Sequence, residues 1–309
     1  MSYELEPGVG LIEQVSLTDS HPLATAVSIV IPAYNEGAHV ADEIHAVRKV
    51  MKETGWEFEI IVVDDGSADD TAEKAAATGV RVIRHPRNRG YGASLKRGIA
   101  AARYDWILIT DADGTYPAEA IPKLLARAED NDMVVGARIG ANVAIPMERR
   151  PAKWFLRKLA SYLAGQDLPD LNSGLRLMRK DLVERYVHLL PSGFSFTTTI
   201  TLACACNDHM VEYVAIDYLP RRGNSKIRPR HAYDFTMLIL RTIVFFNPLK
   251  VFIPLGAFLA LIGIAKFIYD VFRENLSESA IFLLLAALLI WCVGMLADQN
   301  ARIAARRNR

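Results

Sequence analysis

WILITDADGTYP, Trp106 to Pro117, is a run of large apolar residues that ends in two carboxylates, Asp111 and Asp113, with one alanine between them. An apolar run without polar alternation suits a strand of a parallel sheet covered on both faces. Residues just after such a strand reach the carboxyl edge of the sheet, where open α/β sheets bind ligands. With period two along an extended segment, Asp111 and Asp113 point to the same side. Together with a diphosphate they offer the hard oxygen ligands that Mg²⁺ or Mn²⁺ prefers. Taken alone, the pair also reads as an acidic turn capping a helix that starts near Pro117. A calcium loop fits less well, because Thr115 stands where that pattern wants Asp or Asn.

Upstream the same grammar repeats. VSIVIP (Val27 to Pro32) and EFEIIVVDD (Glu57 to Asp65) are buried-strand runs, each followed by a helical segment. Glu36 to Lys52 carries Val40, Ile44, Val47, Val50 and Met51 near helical spacing, and Asp69 to Thr78 is short and alanine-rich. VRVIRH (Val80 to His85) leads through RNRGYG into a helix over Ala93 to Ala102. This alternation predicts an α/β layer fold with right-handed crossovers. Two more strand ends are polar: PAYNE (Pro32 to Glu36) and DDGSADDT (Asp64 to Thr71). In the second, Asp69 or Asp70 reads as the cap of the following helix, whereas Asp64 and Asp65 leave the strand at the crevice. Tyr34, Glu36, Asp65, Asp111 and Asp113 at neighbouring strand ends suit a nucleotide, with acceptors for base and ribose and a metal for the diphosphate. Beyond Asp132, MVVGAR (Met133 to Arg138) reads as a strand, Arg149 to Leu163 as a basic amphipathic helix, and LNSGLRLMRK as a turn into a strand.

The composition then shifts. PRRGNSKIRPRH is a basic loop, and Val251 to Tyr269 (except Lys266) and Ala280 to Ala297 are apolar throughout. Each approaches the ~20 residues that cross a ~30 Å hydrocarbon core, and a buried core hairpin is the competing reading. Lys250, Arg302, Arg306, Arg307 and Arg309 flank the outer ends, while the connecting stretch Asp270 to Ser279 sets Arg273 against Asp270, Glu274 and Glu278. The positive-inside rule then places both ends and the N-terminal domain in the cytoplasm. Ala232 to Phe246, largely apolar but carrying Asp234 and Arg241, is expected to lie along the membrane surface. The expected division is an N-terminal extension (1–25), an α/β domain (26–230), an amphipathic juxtamembrane helix (231–248), two transmembrane helices (249–298) and a basic cytoplasmic tail (299–309).

Length and composition fit this division. The 309 residues have room for one large domain plus an appendage, and the mean hydropathy of +0.14 is high for a soluble enzyme. The net charge of +1 gives no sign of a nucleic-acid partner. Cys204, Cys206 and Cys292 form neither a paired framework nor a metal-ligand spacing, so reduced structural thiols are expected. Met1 to Ser20 is acidic, broken by Pro7, Gly8 and Gly10, and unlike a signal peptide.

PAYNE, DDGSADDT and the DAD triplet, in this order and separation, resemble glycosyltransferase family 2 with its GT-A (Rossmann-like) nucleotide-sugar-binding fold. LNSGLRLMRK, RRGNSK and two C-terminal spans make the chain similar to the polyprenyl-phosphate branch, which includes dolichol-phosphate mannose synthases. The resemblance covers about Ala26 to Ala297. It implies a donor site of Pro32, Tyr34, Glu36, Val63, Asp65, Asp111, Ala112 and Asp113, closed by Arg222 and Lys226. It implies a metal on Asp111 and Asp113, Mg²⁺ or Mn²⁺, and an acceptor site of Arg138 and Ser173, with Arg149 or Arg150 beside them. Asp111, Asp113 and Arg138 are the residues expected to carry catalysis. The implied partners are a UDP- or GDP-linked sugar, a polyprenyl phosphate and the membrane, and a homo-oligomer is compatible with the pattern. Many members carry Gln where this chain has Thr115, so one more water on the metal is expected.

Transfer to a phosphate needs no general base, since the acceptor, with its second pKa near ~6, is already an anion at neutral pH. Direct displacement inverts the anomeric centre. Arg149, Arg150, Lys153 and Arg157 read equally well as a face for anionic lipid headgroups. RGYGASLKRG holds half of a dinucleotide fingerprint, but it lacks the third glycine and follows the third strand, which argues against an oxidoreductase. A processive polysaccharide synthase would carry a QxxRW motif and more spans. A membrane-tethered scaffold would have no use for acidic pairs at adjacent strand ends.

Overall fold

The structure is a computed structural model that describes residues 26–139, 150–193, 195–219, 230–274 and 277–307; side chains 150–153, 155–156, 163, 230–235 and 304–307 fall outside the description. The apolar runs form β1 (Ala26–Ala33), β2 (Glu57–Asp64), β3 (Arg81–Arg84), β4 (Trp106–Ile109), β5 (Met133–Ala137), β6 (Arg176–Arg179) and β7 (Val211–Ala215). They make one sheet in the order β3-β2-β1-β4-β6-β5-β7. β6 pairs antiparallel with both β4 and β5, whereas the other pairings are parallel. This arrangement builds the site. The parallel strands send the residues after them to one edge, and the reversed β6 brings the residues before it, Ser173 and Gly174, to that same edge.

Alternation along the strands fills two layers. Ile29, Ile31, Val62, Leu108, Val134 and Leu177 face the layer that holds α1 (Val40–Thr54), whose Val40, Ile44, Val47 and Met51 are buried in the same cluster. Each such side chain contributes about 1.5–3 kcal/mol of burial. Val30, Ile61, Val63, Ile107, Val135 and Met178 face the opposite layer. In chain order the remaining helices of the sheet domain are α2 (Thr71–Ala77), α3 (Tyr91–Ala101), α4 (Ile121–Leu125), α5 (Arg150–Ala164), α6 (Lys180–Tyr186) and α7 (Phe196–Cys206).

α1 starts at Val40, four residues later than the sequence suggests, because the preceding amides are taken by another loop. Glu36 N–H donates to Thr71 Oγ1 (2.9 Å) and Gly37 N–H to Asp69 Oδ2 (3.0 Å). Asp69 Oδ1 also accepts from Thr71 N–H (3.2 Å), a structural role consistent with its reading as a cap, while Asp70 makes no side-chain cap.

α8 (Arg230–Phe246) leads from the sheet domain to α9 (Leu249–Phe272) and α10 (Glu278–Arg307). A small cluster joins α5, α7 and α8 through Ala160, Leu202, Ile239 and Ile243. α9 and α10 pair as an apolar hairpin, with Gly256 against Trp291 and Gly294 against Phe252. Both are long and apolar enough to cross a membrane, and only 11% and 17% of their apolar windows are buried. A core hairpin would be mostly covered, and these two helices are mostly exposed. The helices outrun the expected spans. Asp270 falls inside α9 rather than in the connection, where Lys266 Nζ donates to Asp270 Oδ1 (2.5 Å) and to Ser277 Oγ (2.9 Å).

Candidate active site

The β2 side of the crevice is held by hydrogen bonds. Asp65 is 3% exposed, and its Oδ1 accepts from Arg89 N–H (2.9 Å) and meets His85 Nδ1 (2.7 Å) while Oδ2 accepts from Gly90 N–H (2.8 Å). Asp64 accepts from Ser67 N–H (3.0 Å) and pairs with Arg84 Nε (3.0 Å). The elbow after β1 is tied to the same loop, with Asn35 N–H on Ser67 Oγ and Ala68 N–H on Asn35 Oδ1, both at 2.9 Å. Pro32, Tyr34, Glu36 and Val63 thus share one edge with Asp65, as their positions in the sequence suggest. A cleft of about 410 Å³ opens beside them, lined by Gly66, Ser67, Arg84, His85 and Pro86.

Asp111, Ala112 and Asp113 leave β4 next to this region. Tyr91, the first residue of α3, donates from Oη to Asp111 Oδ1 (3.0 Å), so the segment that reads as half a dinucleotide fingerprint supplies a hydroxyl to the DAD motif. Burial, with the Asp111 charge beside it, pushes the Tyr91 phenol far above its ordinary pKa and keeps it a donor. Asp111 lies against Gly174, where a Cβ would sit 2.8 Å from Oδ2; only glycine permits this approach. The Gly174 amide in turn donates to Tyr116 Oη (2.6 Å). Asp113, 6% exposed, accepts on Oδ1 from both Thr115 N–H (3.1 Å) and Thr115 Oγ1 (2.6 Å). Thr115 therefore orients Asp113 through its hydroxyl, a role the expectation of an extra water did not include.

A third carboxylate lies behind the pair. Glu43 of α1 is 6% exposed, and its Oε1 has no hydrogen-bond partner among the described residues. Burial first, and then the charges of Asp113, Asp111 and Glu119, push its pKa up to about 8. Its sequence signal was a carboxylate three residues after Val40 and four before Val47, on the flank of the apolar stripe of α1.

The expected acceptor residues do not stand free. Arg138 Nε and Nη2 donate to Asp170 Oδ2 (2.7 Å) and Oδ1 (2.8 Å), its amide donates to Oδ2 (3.0 Å), and its guanidinium lies 5.2 Å from the centre of the Tyr218 ring. Burial opposes the Arg138 charge, but the Asp170 bonds outweigh it and hold the pKa above its ordinary value. Ser173 is fully buried and donates to Gly136 C=O (2.5 Å), so its hydroxyl is turned inward. The turn's backbone is gripped from beneath by the fully buried Arg176, which donates to the carbonyls of Ser173 (2.7 Å) and Leu171 (2.8 Å) and to Thr201 Oγ1 (2.6 Å). Arg149, Arg222 and Lys226 lie outside the described residues; Arg150 opens α5, with its side chain outside the description.

Comparison with known proteins agrees with this architecture. The family model described as glycosyl transferase family 2 matches residues 28–187, and one described as the GtrB C-terminal hairpin matches 247–303. An undecaprenyl-phosphate 4-deoxy-4-formamido-L-arabinose transferase of Klebsiella pneumoniae is 28% identical over 92% of this chain and 90% of its own. The low-salt glycan biosynthesis hexosyltransferase Agl6 of Haloferax volcanii is 28% identical over 70% of this chain, which spans about half (53%) of that relative's length. Glucosyl-3-phosphoglycerate synthase from Mycobacterium tuberculosis, solved with Mn²⁺, UDP and phosphoglyceric acid, shares the fold: TM-score 0.57 and 22% identity, over 71% of this chain and 78% of that one. The same synthase solved with Mg²⁺ and UDP gives TM-score 0.56 and 20% identity, over 71% and 79% of the two chains. With a mixed α/β sheet whose strand ends gather the DAD motif and a C-terminal apolar hairpin, the chain belongs to glycosyltransferase family 2.

Proposed function

We propose that this enzyme transfers a sugar, with inversion, from a nucleotide diphosphate to a polyprenyl phosphate at a membrane surface. The observation that carries the reading is the DAD triplet on the sheet edge of a domain followed, through α8, by the apolar hairpin. The Klebsiella relative, named for transfer to undecaprenyl phosphate, supports the acceptor class. The cleft beside Asp65, lined by His85, Arg84 and Pro86, supports a nucleoside there, and the Mycobacterium synthase bound to UDP supports a uridine donor before a guanosine one.

Asp111 and Asp113 would hold a divalent cation, Mg²⁺ or Mn²⁺. The fit rests on the chemistry present: the two aspartates stand in and beside the turn that follows β4, not on an extended segment as their spacing suggests, and a buried Glu43 oxygen without a hydrogen-bond partner among the described residues lies behind them. When bound, the ion neutralises charge on the leaving diphosphate. The protein's own residues do the rest. Tyr91 and Thr115 fix the two aspartates, Asp65 fixes the turn that leads to Tyr91, and Arg138, anchored by Asp170, presents its remaining N–H groups to an acceptor anion in line with the anomeric carbon. The acceptor phosphate attacks without a base. Arg222 and Lys226 are proposed to close over the diphosphate, and Arg149, Arg150 and the inward-facing Ser173 turn to border the acceptor.

The proposed domains are those given above: 26–230 catalytic, 231–248 along the membrane surface, 249–298 spanning and 299–309 a basic tail. By the positive-inside rule the catalytic domain and both ends lie in the cytoplasm. Reporters fused at Met1 and after Arg309 are expected on the cytoplasmic side, and opposite placement would reduce the spans to one. The decisive experiment incubates UDP- and GDP-sugars with undecaprenyl phosphate and identifies the lipid product by mass. Hydrolysis of donors with no lipid-linked sugar from any of them would sink the reading.

A further inference from the structure

We propose that Glu43 sets the affinity of this crevice for its divalent cation, accepting from a water on the ion rather than binding the ion itself. The inference rests on the metal reading of Asp111 and Asp113. Glu43 sits on the flank of a helix face whose neighbours, Val40, Ile44 and Val47, are fully buried, so an apolar residue would satisfy the packing there. A carboxylate in that place loses its hydration, and Oε1 gains no donor in exchange among the described residues. The chain carries this cost next to a turn where a cation would offset it. Glu43 Oε2 lies 4.0 Å from where a Cβ on Gly114 would stand, inside the Asp113–Thr115 turn. Gly114 has φ +67, the left-handed region, so the turn presents a bare backbone to Glu43.

Direct ligation does not fit. Among the described residues no three His, Cys, Asp or Glu side chains converge closely enough to hold one ion. Glu43 is therefore placed one water away, where, ionised once the cation is present, it accepts from the ion's water. Thr115 takes up Asp113 Oδ1, so the ion must draw on the carboxylate's remaining capacity and on water, and an acceptor for that water gains in importance. Partners of this kind change metal affinity by roughly 10- to 100-fold when removed.

The test uses the full-length protein in detergent, stripped with chelator. Mn²⁺ is titrated and the free-ion electron paramagnetic resonance signal followed, with UDP, GDP or neither present. Glu43→Gln, which keeps the shape, and Glu43→Leu, which completes the apolar face, are both expected to weaken Mn²⁺ binding by about 10- to 100-fold. Both should melt no lower than the wild type without metal, and gain less in melting temperature when Mn²⁺ is added. Asp113→Asn serves as the reference and should lose the site. Glu43→Gln binding Mn²⁺ as tightly as the wild type, with the Asp113→Asn site lost, overturns the assignment of Glu43 alone. Wild-type binding that is indifferent to Asp113→Asn overturns the metal reading and this inference together.

Discussion

The two sides of the crevice treat negative charge in opposite ways. Around Asp65 the carboxylate is met by two backbone amides and an imidazole, and Asp64 next to it by an amide and a guanidinium. Around Asp113, burial first and then the neighbouring carboxylates push the pKa of Glu43 up. On the first side each carboxylate has donors or a cation against it, though Asp64 Oδ2 is met by the Arg84 ion pair alone. The second holds like charges together and is completed by a ligand. Removing charge should therefore weaken the first and relax the second.

The largest expected effect is on turnover. Asp113→Asn should cut lipid-linked product by roughly 100- to 1,000-fold. Without metal it should melt at or above the wild-type temperature, since it removes a charge that bears on Glu43. A large drop in metal-free stability would break the comparison. Arg138 comes next. Arg138→Ala should raise the lipid concentration required by about 10- to 100-fold and also destabilise, because Asp170, 2% exposed, loses the guanidinium that balances its charge. Arg138→Lys separates the two effects: the ion pair survives in part and the fork is lost. Collapse of donor affinity with unchanged lipid dependence would move Arg138 to the donor side.

On the first side, Asp65→Asn turns one acceptor oxygen into a donor facing an amide. A loss of about 1–3 kcal/mol is expected, readable as a shifted denaturation midpoint with or without metal. The smallest effect is the pH dependence of Glu43. Its folded pKa lies above its unfolded value, so between about 4.5 and about 8 the folded state holds the extra proton. Stability of the metal-free protein then falls as pH rises through that window, and Glu43→Gln should flatten the slope. A slope left unchanged by Glu43→Gln would remove the strain assigned to the metal side.

The strands, the order of the acidic motifs and the terminal hairpin were legible because each is written in contiguous residues. WILIT followed by DAD gives both a strand and its cargo, and two long apolar runs need no partner to be recognised. What was illegible depends on residues far apart in the chain. Glu43 and Asp113 meet only because α1 packs over the end of β4, and Asp170 reaches Arg138 because reversed β6 inserts between β4 and β5. Ser173 shows the same limit from the other direction. Its SG turn was found, yet the hydroxyl's inward bond to Gly136 depends on a neighbouring strand. The start of α1 was misplaced because side chains of the DDGSADDT loop occupy the amides of Glu36 and Gly37.

The position of β6 also bears on how the chain is made. β4, all apolar, pairs with β1 on one side, and its other edge waits for a strand that lies some 65 residues further along. Until Arg176 to Arg179 arrive, Trp106 to Ile109 form an open, hydrophobic edge, the kind that pairs with the wrong chain. Synthesis at about 5–20 residues per second leaves that edge uncovered for several seconds. The hairpin begins only at Leu249, after every strand has been made. Vulnerability during synthesis thus falls in the interval between β4 and β6, and a pause in translation there should do more harm than one placed after Ala215.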